Sequence, residues 1–245
     1  MAESKLAWRR DGLALLFAVS FPSVMSWIEF WILPNHSAGE GPDLHLVFAL
    51  GKVVQFAFPL VYVFIVARGE LKPSRPHLRG MGLAIGFGLL VMLGTFALYF
   101  LVLKNSGLFD GTSKQLAAWL AQFHANTPKF FFAMALFVSV LHSLLEEYYW
   151  RWFVFGRLQR YLPLGAALLI GGLAFMAHHV FVLGYYFPGR FWIATVPFSI
   201  CVAAGGVVWG WMYHRYQNLY ATWLSHLLAD AAFMVVGYDM VVQYW

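Results

Sequence analysis

The chain has 245 residues, of which 61% are hydrophobic, 19% aromatic and only 11% charged, where a soluble domain carries roughly 25% charged residues. That balance excludes a soluble globular domain and a disordered chain, and the single cysteine, Cys201, excludes an internally disulfide-bonded scaffold. A net charge of +5 would point to nucleic acid in a soluble protein. Here the basic residues sit at the ends of apolar segments, which is a mark of membrane topology and not of a nucleic-acid partner.

A helix needs about 20 mostly apolar residues to cross a bilayer. Seven windows satisfy this in chain order, near residues 12–33, 46–68, 81–103, 129–153, 164–185, 191–213 and 219–240. An eighth stretch, Leu116–Phe123, is too short to span and reads as an interfacial or re-entrant helix. The expected fold is all-α, a polytopic transmembrane bundle of seven to eight spans. It forms a single integral membrane domain over 1–245, with N-terminal spans and loops over 1–127 and a core of helices over 128–240.

Lys5, Arg9 and Arg10 precede the first apolar run, which is too long for a cleaved leader and reads as a retained signal anchor. Basic residues then alternate in density. Lys5, Arg9, Arg10, Arg68, Lys72, Arg75, Arg79, Arg157, Arg160 and Arg215 fall on one side, against Lys104, Lys114, Lys129 and Arg190 on the other. The excess predicts a cytoplasmic N-terminus and, with seven spans, an external C-terminus. Two small-xxx-small pairs, Gly82 with Gly86 and Gly206 with Gly210, predict close helix contacts.

The informative residues are ionisable groups inside spans, because a charge at mid-bilayer costs at least about 2.5–3.5 kcal/mol. Glu29 and Lys52 reach similar depth from the outer side and are expected to form a helix-pairing ion pair. Span four holds His142, Glu146, Glu147 and Arg151. At about 100° per residue, His142 stacks on Glu146 and Glu147 on Arg151. Arg151 can neutralise and orient Glu147, which leaves Glu146 the freer carboxylate and the candidate general base. Span five holds His178 and His179, and span seven places His226 and Asp230 one turn apart. Counted from the inner helix ends at 1.5 Å per residue, these groups lie roughly 10–22 Å deep. Carboxylates and imidazoles at one level suit activation of a water for hydrolysis.

Three motifs in order on these spans resemble the CPBP family, the CAAX prenyl endopeptidases and their bacterial Abi relatives: Glu146-Glu147-x-x-x-Arg151, Phe175-x-x-x-His179 and His226-x-x-x-Asp230. The stretch from Gly210 through Tyr213, His214, Arg215, Asn218 and Leu219 to Trp223 is similar to that family's approach to its last motif. The resemblance implies a glutamic-type intramembrane endopeptidase whose catalytic core comprises spans four to seven. Glu146 and His179 would activate water, His226 and Asp230 would form the oxyanion side, and Glu147 with Arg151 would support the geometry. Phe175 selects His179, with His178 and His142 as supporting neighbours. No cofactor is implied: zinc is disfavoured because the spacing is not His-Glu-x-x-His. The implied partners are membrane lipid and a peptide or protein substrate, lipidated or membrane-embedded. Three other readings compete. A noncatalytic relative would act as a chaperone or immunity protein, a haem protein would ligate through histidines such as His142, His178 and His226, and a proton-coupled transporter would relay protons through the carboxylates.

Overall fold

The computed structural model describes residues 2–33, 44–68 and 76–245. Lys72 and Arg75 of the charge count lie outside these residues, and the side chain of Lys5 is likewise not described. Every regular element among the described residues is helical. In chain order they include α1 (Trp8–Ile32), α2 (Leu46–Val66), α3 (Met81–Leu103), the short α4 (Thr112–Gln122), then α5 (Pro128–Leu158), α6 (Leu164–Tyr186), α7 (Phe191–Tyr216) and α8 (Leu219–Tyr244). All but α4 are long and apolar enough to cross a membrane, so the protein is an integral, multi-pass helical bundle with the seven spans expected from composition.

Local chemistry sets the helix ends. Pro128 occupies the first turn of α5 behind an extended Thr127, where its fixed φ and missing N–H do no harm. Gly80 precedes α3 at φ 80°, and a Cβ there would lie 2.6 Å from the Tyr216 ring, so the turn needs glycine for conformation and for space. Asn218 caps α8. Its Oδ1 accepts from the N–H groups of Tyr220 and Ala221 at 3.2 and 3.3 Å, while its Nδ2 donates to the carbonyls of His77 and Arg79 at 2.6 and 2.9 Å.

Several spans contain π-helical turns, among them Ile28–Ile32 in α1 and Tyr62–Val66 in α2. Helix α5 winds this way twice, over Phe137–His142 and Tyr148–Phe155, with a single α-helical turn, Ser143–Glu147, between them. Such turns cluster at functional sites.

The described residues fall into two compact units, those of Met1–Ser74 with Tyr148–Trp211 and those of Arg75–Glu147 with Met212–Trp245. In the first unit, α6 and α7 touch through backbone: a Cβ on Gly206 would lie 3.2 Å from the Cα of Gly172. The first unit also buries Asp11 completely. The Asp11 carboxylate accepts from the Tyr62 hydroxyl, from the Tyr161 hydroxyl at 2.7 Å and from Arg157 at 3.0 Å. Burial first, and then this bond to the carboxylate, push the Tyr161 phenol up, so it stays a neutral donor through the neutral range. In the second unit, α3 meets α8 at Gly88, where a Cβ would lie 2.8 Å from Leu228 and 3.0 Å from the Ser225 carbonyl. The Leu116–Phe123 stretch is helical to Gln122, and its Leu120 is fully buried among Tyr99, Phe131, Val236 and Val241.

One expectation is corrected, and another is met only as a charge attraction. A Cβ on Gly82 or Gly86 would meet nothing within 4 Å, so the contact expected there is made instead by Gly88, two residues on. Glu29 and Lys52 attract one another as charges without a hydrogen bond: Glu29 Oε1 is buried without such a partner, while the Lys52 ammonium lies 5.6 and 6.0 Å from the ring centres of Phe48 and Phe56. A long lysine stem lets the ammonium settle on aromatic faces of its own helix.

Gly172→Ala puts a methyl 2.7 Å from Val207 Cγ2 and 2.9 Å from the Ala203 carbonyl, and is expected to destabilise by about 1–3 kcal/mol. Gly82→Ala, which faces open space, should leave stability unchanged or slightly raised. Thermal unfolding of both variants in detergent checks the contrast.

Candidate active site

The second unit brings five of the expected residues together. The α-helical turn Ser143–Glu147 carries Glu146 and Glu147, both buried. Across from it, α8 carries His226, also buried, and Asp230. His226 Nδ1 lies 2.8 Å from Glu147 Oε1. A carboxylate only accepts, so with Glu147 ionised this nitrogen bears the proton. His226 Nε2 then faces Glu146 Oε2 at 3.7 Å and Asp230 Oδ1 at 3.5 Å. His142 Nε2 approaches Glu146 Oε1 at 3.6 Å from one turn earlier. Three carboxylates therefore surround one imidazole.

Two contacts set the position of that imidazole. The Asn218 cap fixes where α8 begins, eight residues before His226. Trp223, three residues before His226, donates its indole N–H to the Val140 carbonyl at 2.8 Å. Val140 lies in the π-helical stretch Phe137–His142, and its carbonyl is thus answered from α8. On the same stretch of α5, the fully buried Ser143 hydroxyl donates to the Ser139 carbonyl.

The first unit holds the remaining residues, and they too converge. His179 Nδ1 lies 3.0 Å from the Phe175 carbonyl. Because a carbonyl cannot donate, Nδ1 carries the hydrogen, and Nε2 is the acceptor of the neutral ring. Phe175 packs on His179 with ring centres 5.0 Å apart. His178 is buried and stacks on Trp150, ring centres 5.6 Å apart at an interplanar angle of 3°. Arg151 is buried with its guanidinium 4.6 Å from the Phe175 ring centre and 5.0 Å from that of Trp209. Trp150 and Arg151 line a small cleft floored by Gly171, Gly172, Gly206 and Gly210.

Some of these partners were not evident from spacing. The bond from Glu147 to His226 joins α5 to α8 and was not read from spacing. The aromatic partners Trp150 and Trp209 escaped notice because one aromatic among many carries no periodic signal. The one available hint was that Trp150 directly precedes Arg151.

Residues 128–232 match the model of a family described as type II CAAX prenyl endopeptidase Rce1-like. The match spans 105 of the 245 residues. The match agrees with the CPBP resemblance and encloses all three motifs, from Glu146 to Asp230. No curated protein and no solved structure matches the chain. The matched segment includes α5, α6, α7 and the first half of α8. Among the described residues, no three or more His, Cys, Asp or Glu side chains are grouped so as to hold a metal ion.

Trp223→Phe keeps the aromatic bulk and removes the bond to Val140, and is expected to lower stability by about 1 kcal/mol. Arg151→Lys keeps the charge but not the planar stack on two rings, and should lower it by about 1–2 kcal/mol. Denaturation midpoints of the purified variants, compared with wild type in the same detergent, measure both effects.

Proposed function

We propose that this protein is a glutamic-type intramembrane endopeptidase that hydrolyses a peptide bond in the cytoplasmic half of the membrane. The observation that carries the reading is the gathering of Glu146, Glu147 and Asp230 around His226 within a segment that matches the Rce1-like family. Glu146 takes a proton from water as the water oxygen attacks the peptide carbonyl. His226 is held through Nδ1 by Glu147 and presents its Nε2–H to the developing oxyanion. Asp230, being anionic, acts through His226, whose Nε2 it faces at 3.5 Å. Glu146 then returns that proton to the leaving amine, and His179 is the second candidate base, the role that the CPBP resemblance gives it. The tautomer that its bond to the Phe175 carbonyl selects supports that role.

The reaction in this reading needs no metal. Both nitrogens of His226 face carboxylates, which fits a charge-relay arrangement better than ligation. The substrate is a membrane-embedded or lipidated peptide that enters through the bilayer plane or from the inner face. The N-terminus lies in the cytoplasm and the C-terminus outside, following the excess of basic residues on the inner side.

Cleavage of a quenched peptide library by the detergent-purified protein tests this. Glu146→Gln should lower turnover by about 10²–10⁴-fold while leaving expression and folding intact. Wild-type cleavage should persist with chelator. Turnover unchanged in Glu146→Gln would rule out the mechanism, and loss with chelator restored by zinc would establish a metal enzyme instead. His179→Ala should be more damaging than His178→Ala, and the reverse order would move the catalytic imidazole to His178.

A further inference from the structure

One titratable neighbour of Glu146 in the second unit takes no step in the proposed hydrolysis. His142 lies four residues before Glu146, at the close of the π-helical stretch Phe137–His142, and its Nε2 approaches Glu146 Oε1 at 3.6 Å. Bonds on both sides pin the backbone that carries it. The Trp223 indole donates to the Val140 carbonyl, and the Ser143 hydroxyl donates to the Ser139 carbonyl. The imidazole is thus brought to Glu146 by a fixed stretch of α5.

Charge balance gives that imidazole a task. Glu146, Glu147 and Asp230 all face His226, whose Nδ1 lies 2.8 Å from Glu147 and whose Nε2 lies 3.7 Å from Glu146 and 3.5 Å from Asp230. Nε2 carries at most one hydrogen, so two carboxylates compete for it. Like charges this close disfavour one another's ionised forms, yet a general base has to be ionised to take a proton. The two oxygens of Glu146 face two different imidazoles, Oε2 that of His226 and Oε1 that of His142. When protonated, His142 supplies a second donor and a second positive charge, on the oxygen away from the competition. Access differs as well. The side chain of His142 is 23% exposed, against 6% for Glu146 and 5% for His226, so of the three it is the one that a small molecule from outside reaches.

We propose that His142 is a positioning residue for the general base: its protonated Nε2 holds Glu146 Oε1, keeps the carboxylate ionised and leaves Oε2 on the His226 side to receive the proton of the water. The inference rests on the reading of Glu146 as the base, and adds to it a residue outside the three motifs.

Two measurements on the full chain in detergent test it. The first reads Glu146 without turnover. Dicyclohexylcarbodiimide attacks buried carboxyl groups in their protonated form, and tandem mass spectrometry of the digested protein locates the adduct. Labelling of Glu146 should rise several-fold in His142→Ala, and also in His142→Gln, which keeps a donor but carries no charge. The second measurement is cleavage of the quenched peptide. His142→Ala should lower kcat by about tenfold or more with KM unchanged, and imidazole added to the medium should restore part of the loss by entering the vacated place. A loss of kcat that imidazole does not restore, with Glu146 labelled as in wild type, would make His142 a structural residue and overturn the proposal. Labelling unchanged in His142→Ala would overturn it whether or not the protein cleaves. Raised labelling in the variant beside a wild type that cleaves nothing would support the His142–Glu146 pair and overturn the hydrolytic reading alone.

Discussion

Hydrocarbon offers no hydrogen bonds, and that single constraint organises the interior of this protein. Each charge inside a span needs an answer within the chain, or its desolvation goes uncompensated. Asp11 meets Arg157 and two tyrosine hydroxyls. Glu147 meets His226. Arg151 lies against two aromatic rings, whose faces attract a cation where water is absent. The polar residues are few, and the helices bearing them are held at specific registers because their partners lie on other helices.

Helix α8 shows how a register is fixed. Its own sequence is apolar and would slide in a groove with little penalty, since lipid-facing and protein-facing leucines are chemically alike. The Asn218 cap ties its start to the backbone at His77 and Arg79. Two turns later Gly88 of α3 admits Leu228 and the Ser225 carbonyl at a distance that no side chain would allow. The Trp223–Val140 bond lies between these points. His226 is set by three independent contacts, and its imidazole can face both glutamates because α8 has neither translational nor rotational slack.

Much of this was legible in the sequence, because spans and in-span charges are strong signals. Seven apolar windows sufficed for the architecture, and the i, i+4 spacing of His142 with Glu146 and of His226 with Asp230 recurs as contacts of 3.6 and 3.5 Å. The i, i+4 reading of α5 rested on 100° per residue. That winding holds through the α-helical turn ending at Glu147, and from Tyr148 the backbone is π-helical. Nothing in the residue types announces such a change of winding. Nor could spacing reveal Asp11 as a junction, because its partners Tyr62, Arg157 and Tyr161 come from distant positions. Glu29 and Lys52 were matched by depth alone. Depth fixes height along a helix but not which way a side chain turns, and Lys52 turns to Phe48 and Phe56.

The change of winding in α5 also bears on the chemistry. Two π-helical stretches bracket the turn that carries both glutamates. With wider winding on either side, the glutamate-bearing turn faces His226 while the residues that follow pack Arg151 and Trp150 against Phe175 and His178. Each set of side chains thereby gains surroundings suited to it: carboxylates beside an imidazole that can carry a proton, and a guanidinium on aromatic faces that cannot take one from it.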